Sequence, residues 1–301
     1  YKRQLFDSFL FLEIMDTGTG GANKMFAKGY NLESANQADW TKLIDYYFQS
    51  ETGIGALDAS VKEASAILGT PRQKRQIVIS IPEPIVYQHP EQASSSTKYW
   101  GKIDNQTLDF SNSADRIKAC KWYIDQVRAK FNEKNYQHVE LAGFYWLAEK
   151  ATDTRDILNA VAIYLNKLKY SFNWIPYYGA DGYNQWKSLG FNYAYFQPNY
   201  FFNESVPDSR LEDACQKALT YDMHMELEFD DNALNSRGKA YRLKNYMSAF
   251  KKHGIWEKKR LAYYQGSASL LTLKKSGNAA DTQLYHEFCN FVISRPIRSS
   301  H

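Results

Sequence analysis

The chain has 301 residues, of which 44% are hydrophobic, 23% charged and 16% aromatic, and it carries a formal net charge of +4. That length supports one large core or two ordinary ones, and no apolar run reaches the length a membrane-spanning helix needs. The positive charge is mild, and its densest group, Lys251-Lys252 with Lys258-Lys259-Arg260, flanks a helix end where cations are favoured anyway, so a nucleic-acid surface is not indicated.

The predicted elements alternate strand and helix. A strand over 5–12 ends at Glu13 and is followed by the Gly-rich loop Thr17-Gly18-Thr19-Gly20-Gly21. Its spacing is not that of a phosphate-binding fingerprint, so it reads as a flexible rim. Helices over 39–48 and 56–68 precede a continuous apolar strand over 76–84, which carries Glu83 at its end. Residues 87–112 are polar and Ser-rich, too long for an ordinary connection, and read as a lid or an irregular excursion.

A helix over 113–132, with Ser113 as N-cap, leads to a strand over 138–149 ending in Glu149. A helix over 156–169, a strand over 172–178, a short helix near 184–189 and a strand over 193–199 follow. After a helix over 208–220 comes Met223-His224-Met225-Glu226-Leu227-Glu228-Phe229-Asp230. The side-chain period of two puts Glu226 and Glu228 on one face and Met225, Leu227 and Phe229 on the other. A helix over 237–253, a strand over 260–265 and helices near 267–274 and 281–293 complete the chain.

This alternation predicts an α/β fold, the (β/α)8 barrel, as a single domain over 1–301. Polar and aromatic residues decorate the C-terminal end of every predicted strand, where a barrel gathers its active site. Only seven strands are counted, so an eighth hides in the early helical region or lies upstream of Tyr1. If it is upstream, Glu149 follows strand four and Glu228 lies on strand seven. This layout is similar to that of retaining barrel glycoside hydrolases, except that Ala148-Glu149 stands where their Asn-Glu pair is usual.

Six segments taken together carry a closer resemblance. Ile79-Ser80-Ile81-Pro82, Gly143-Phe144-Tyr145-Trp146, Trp174-Ile175-Pro176-Tyr177-Tyr178-Gly179-Ala180, Tyr195-Phe196-Gln197-Pro198-Asn199-Tyr200, Met225-Glu226-Leu227-Glu228-Phe229-Asp230 and Ala262-Tyr263-Tyr264-Gln265-Gly266 occur in one order over nearly the whole chain. They resemble the bacterial family called domain of unknown function 4855. The resemblance implies a glycosidase-like barrel, a further strand before Tyr1 and export to the periplasm or cell surface, although no signal peptide opens this chain.

Glycoside cleavage needs a proton donor and a second carboxylate. Among the acids, Glu228 is the candidate nucleophile and Glu149 the acid/base, with Glu226 one layer deeper as an orienting group. An exposed loop acid is the alternative use of Glu149. Candidate substrate-binding residues for a carbohydrate are Glu13, Glu83, Trp146, Tyr177, Tyr178, Gln197, Asn199, Tyr264 and Gln265. Alternation sends about half of the strand aromatics outward against the helices, and the surplus of 23 Tyr, 17 Phe and 7 Trp equally suits a tyrosine-rich core. His224 reads as a hydrogen-bonded core residue and Asp230-Asp231 as a helix cap.

No cofactor is implied, and Cys120, Cys215 and Cys289 lie too far apart for a recognisable metal or disulfide pattern. Two other classes stay open. One is a glycan-binding barrel without turnover. The other is a metal-dependent barrel hydrolase with ligands among Glu13, Glu83, His224 and Asp230.

Overall fold

The structure, a computed structural model, describes residues 4–92, 94–266 and 268–296. The chain forms two compact units, one of Tyr1–Trp174 with Gln185–Asn192 and one of Ile175–Asn184 with Tyr193–His301.

The first unit runs β1 (Ser8–Phe11), the two-residue strands β2 (Lys24–Met25) and β3 (Glu33–Ser34), helices α1 (Gln37–Tyr47) and α2 (Ile54–Leu68), and β4 (Arg75–Ile81). Then come β5 (Tyr99–Ile103), β6 (Gln106–Asp109), α3 (Ser113–Lys134), β7 (Val139–Trp146), α4 (Arg155–Lys167) and β8 (Ser171–Trp174). Strands β1, β4, β7 and β8 pair in that order, all in parallel. Ile77, Ile79 and Ile81 of β4 are fully buried on one face, while on the other Gln76 is exposed, Val78 half-buried and Ser80 buried.

Helix α1 starts at a capping box. The Asn36 carboxamide accepts from the backbone N–H groups of Ala38 and Asp39, and the Asp39 carboxylate accepts from Asn36 N. Trp40, Leu43, Ile44 and Tyr47 form its buried stripe. Helix α3 is capped by Asn112, one residue before the expected Ser113, because the Asn112 side chain accepts from Ala114 N at 2.9 Å.

Two expectations for this unit are corrected. Within 87–112, residues 99–109 are regular rather than irregular, since β5 and β6 form an antiparallel hairpin. Asp104 and Asn105, both with positive φ, make its two-residue turn. The hairpin packs Trp100 edge-on to Trp40, with ring centres 5.0 Å apart, and stacks it on Phe110, so burial of aromatic surface holds it. The Gly-rich loop takes up a 3-10 turn over Asp16–Thr19, with Gly20 in the left-handed region closing it. The buried Asp16 carboxylate accepts from Asn23 N and Lys24 N, and a Cβ at Gly21 would lie 1.9 Å from it.

The second unit contains β9 (Tyr193–Phe196), α5 (Ser209–Thr220), β10 (His224–Glu228), α6 (Ala240–Lys252), α7 (Ile255–Lys258), β11 (Leu261–Tyr264), α8 (Ser269–Lys275) and α9 (Ala279–Ile293). Strand β10 lies between β9 and β11 and is parallel to both, with Glu226 beside Ala262 and Glu228 beside Tyr264. A parallel bridge between Tyr177 and Gln197 sets the segment after Pro176 alongside the end of β9.

The helix expected near 184–189 is a short 3-10 turn, Tyr183–Gln185. The helix expected from 237 begins at Ala240, because Gly238 has φ 84 and breaks the chain direction there. Each unit is thus an α/β assembly of parallel strands joined through helices, the repeat from which (β/α) barrels are made.

Candidate functional site

The acidic strand β10 organises the second unit. Glu228 is fully buried at its C-terminal end, where an unpaired carboxylate would cost several kcal/mol. Three donors meet it. Gln197 Nε2 donates to Oε1 at 2.9 Å, while Asn199 N at 3.0 Å and Tyr246 Oη at 2.7 Å donate to Oε2. Burial raises the Glu228 carboxyl above its ordinary range, and these hydrogen bonds pull the other way.

Glu226 is also buried, and both acids raise the buried Tyr246 phenol further above its usual value.

The turn that Glu228 grips is held from its other side by Arg242, itself 2% exposed. Arg242 Nη2 donates to the carbonyls of Tyr200, Asn203 and Val206 at 2.5, 3.1 and 2.9 Å, and its guanidinium lies 3.8 Å over the Tyr200 ring. Arg242 and Tyr246 are four residues apart on α6 and so project from one face. Asn199, with φ 51, sits between the two anchors.

This clamp was not anticipated. The one sequence signal for it is a charged residue, Arg242, on a stripe otherwise made of Leu243, Tyr246, Met247 and Phe250.

Beyond the clamp, Tyr264 and Phe202 stay 47% and 42% exposed, with their rings 6.0 Å apart and edge to face. Asn199 is exposed three residues before Phe202, and Gln265 Oε1 accepts from Leu270 N in the first turn of α8. Of the two neighbouring tyrosines, Tyr177 is half-buried at the bridge to Gln197. Tyr178 donates to Asp213 and lies 3.9 Å under the Arg210 guanidinium. Those bonds tie Tyr178 to helix α5. His224 stands at the opposite end of β10, where its Nδ1 accepts from Arg260 N.

In the first unit, acids again mark the strand ends. Glu13 follows β1, is half-buried, and has its carboxyl raised by burial and partly restored by a hydrogen bond with Tyr46. Glu83 follows β4 and is buried, and its Oε2 accepts from Lys28 N at 2.7 Å. Burial raises the Glu83 carboxyl as well. Lys28 pairs with Asp153 at 3.0 Å, and Arg116 donates to Asp153 O, so Glu83 stands in a network joining the 24–34 segment to the loop after β7.

Glu149 is half-buried in that loop, and the Tyr30 phenol is raised by its partial desolvation and, second, by the Glu149 charge. Trp146, expected as a sugar-stacking ring, is fully buried. Its indole donates to Thr154 Oγ1 and its face meets Phe172, so no ring face is left for a ligand. Trp174 is likewise buried, stacked on Phe191 with its indole donating to Ala148 O. Among the described residues no group of three or more His, Cys, Asp or Glu converges as a metal centre would require, and no helix is long and apolar enough to cross a membrane.

The family model for domain of unknown function DUF4855 matches residues 1–290. The chain belongs to this family. No curated protein matches the chain. Among solved structures, the catalytic domain of a family GH18 chitinase from a fern, Peteris ryukyuensis, is similar at 11% identity and a TM-score of 0.41. The alignment covers 81% of this chain and 86% of the chitinase chain.

Proposed function

We propose that this protein acts on a poly- or oligosaccharide as a glycoside hydrolase with two carboxylates. The observation that carries the proposal is where the displaced acids stand. Glu13, Glu83 and Glu228 each have a carboxyl raised by burial, and each lies at the C-terminal end of a parallel strand. Parallel α/β folds place their chemistry at those ends, and glycoside cleavage works through a pair of carboxyl groups whose surroundings differ.

In this reading Glu149 donates the proton, Glu228 is the second carboxylate and Glu226 holds the strand end. The exposed Tyr264–Phe202 pair supplies flat rings suited to the apolar face of a sugar. A retaining reaction requires the two carboxyls about 5–5.5 Å apart, and an inverting one requires about 6.5–9.5 Å.

A second reading, glycan binding without turnover, is favoured by the closure of Glu228. With no exposed surface and three donors on its oxygens, its carboxylate reaches an anomeric carbon only if the 197–200 turn opens.

Release of reducing ends from a panel of polysaccharides, with Glu149→Gln and Glu228→Gln as controls, separates the two. Turnover lost in both variants supports the hydrolase. Saccharide binding without turnover, unchanged in both variants, supports the binding protein. Absence of both binding and turnover refutes the carbohydrate reading.

A further inference from the structure

The first unit contains a cleft of about 150 Å³ at the C-terminal end of β1. Its walls are Phe11 and Leu12 of the strand end, Tyr46 and Tyr47 of α1 and the Thr52-Gly53 turn, and Glu13 opens into it. Tyr47 is fixed from behind, since its hydroxyl bonds Ser80 Oγ at 3.0 Å and its ring meets Phe11 edge-on. Gly53 is packed so closely that a Cβ there would lie 2.3 Å from Tyr47 O.

The polar side is shaped just as tightly. A Cβ on Gly18 would lie 2.8 Å from Glu13 Oε1 and 2.8 Å from Tyr46 Cζ, so the backbone of the 3-10 turn presses directly on both polar tips. The Gly18 position thus has a packing reason unrelated to phosphate binding. The result is a small recess of mixed polar and apolar lining, with one carboxylate and one phenol at its mouth, a few convergent polar groups beside aromatic carbon. It is smaller than the roughly 300–1,000 Å³ of sites that hold drug-sized molecules, so it admits a single ring and not a nucleotide or an oligosaccharide.

We infer that this cleft is a subsite for one pyranose-sized sugar ring, with Glu13 accepting hydrogen bonds from ring hydroxyls and the half-buried Tyr46 forming the wall, backed by the buried Tyr47. The inference rests on the carbohydrate reading above and deepens it. A neutral polyol matches the cleft because its hydroxyls donate to the carboxylate while its C–H face meets the aromatic wall. Burial already disfavours the ionised form of Glu13, so hydroxyl donors replace hydration that the carboxylate has lost.

Saturation-transfer NMR with glucose, galactose, mannose, xylose and N-acetylglucosamine, and with short oligomers of each, tests this on the whole chain. The variants are Glu13→Gln, Tyr46→Phe and Gly18→Ala, with Lys169→Gly, distant in sequence on the α4 end, as control. At least one monosaccharide is expected to bind the unaltered protein and the control. Tenfold or greater weakening is expected in Glu13→Gln and loss of binding in Gly18→Ala.

If Gly18→Ala fails to fold, as read by its melting curve, Glu13→Gln decides. A sugar that binds equally to the parent, Glu13→Gln and Tyr46→Phe overturns the subsite and leaves the carbohydrate reading standing. Absence of binding to every monosaccharide and oligomer refutes both.

Discussion

Replacing Glu228 separates its structural duty from a chemical one, because the two conservative exchanges have very different costs. Glu228→Ala leaves three donors without an acceptor, the Gln197 amide, the Asn199 N–H and the Tyr246 hydroxyl. At about 1–3 kcal/mol for each unsatisfied buried group, the loss is about 3 kcal/mol or more.

Glu228→Gln behaves otherwise because Gln197 Oε1 is buried without a hydrogen-bond partner. The new carbonyl takes over Oε2 and keeps Asn199 N and Tyr246 Oη. The new NH2 faces Gln197, whose amide turns over and accepts through Oε1. One amide group of Gln197 lacks a partner before and after, and the buried charge is gone, so the net change stays within about 1 kcal/mol.

In thermal melts the glutamine variant is expected within roughly 3 °C of the parent and the alanine variant roughly 6 °C or more below it, at about 2–4 °C per kcal/mol for a chain of this size. A glutamine variant that melts as low as the alanine variant refutes the amide exchange. If Glu228 is also a reacting carboxylate, Glu228→Gln loses turnover while keeping its melting point.

Stability should depend on pH through the same acids. Glu83 and Glu228 have folded values raised above 4.5, so the folded state holds their protons longer than the unfolded state does. Their contribution is full below pH 4.5 and declines as pH rises through the folded values; urea titrations across pH 4–8 should show a shallower decline in a Glu83→Gln, Glu228→Gln double variant. Arg242→Met removes the donors to the Tyr200 and Val206 carbonyls and leaves Asn203 O with Val206 N alone; urea unfolding should show a loss of about 2 kcal/mol or more. Lys169 holds φ 63 at the end of α4, where its N–H bonds Asn166 O and the next N–H bonds Leu165 O. Lys169→Gly relieves the left-handed strain, and the same assay should read a gain of roughly 0.5–1 kcal/mol.

The elements follow the sequence closely where periodicity is strong. Seven parallel strands were legible as apolar runs, and their C-terminal acids Glu13, Glu83 and Glu228 were legible because each interrupts or ends such a run. The even spacing of Glu226 and Glu228 was enough to place both on one face, since a strand permits no other arrangement. The 99–109 hairpin was missed because its strands are four and five residues long and a main hydrophobic partner, Trp40, lies on another element.

What the sequence determined alone is therefore the α/β repeat, the order of its strands and the set of acids at their ends, because local side-chain periods dictate all three. What only the tertiary structure decided is the environment of each acid. Glu228 is enclosed by a phenol from α6 and an amide from β9's end, Glu83 is tied to the backbone at Lys28, and Glu13 opens on a cleft. Burial and hydrogen-bond partners come from chain segments tens of residues away, and those partners, rather than the carboxylate's own position, determine its charge and reach.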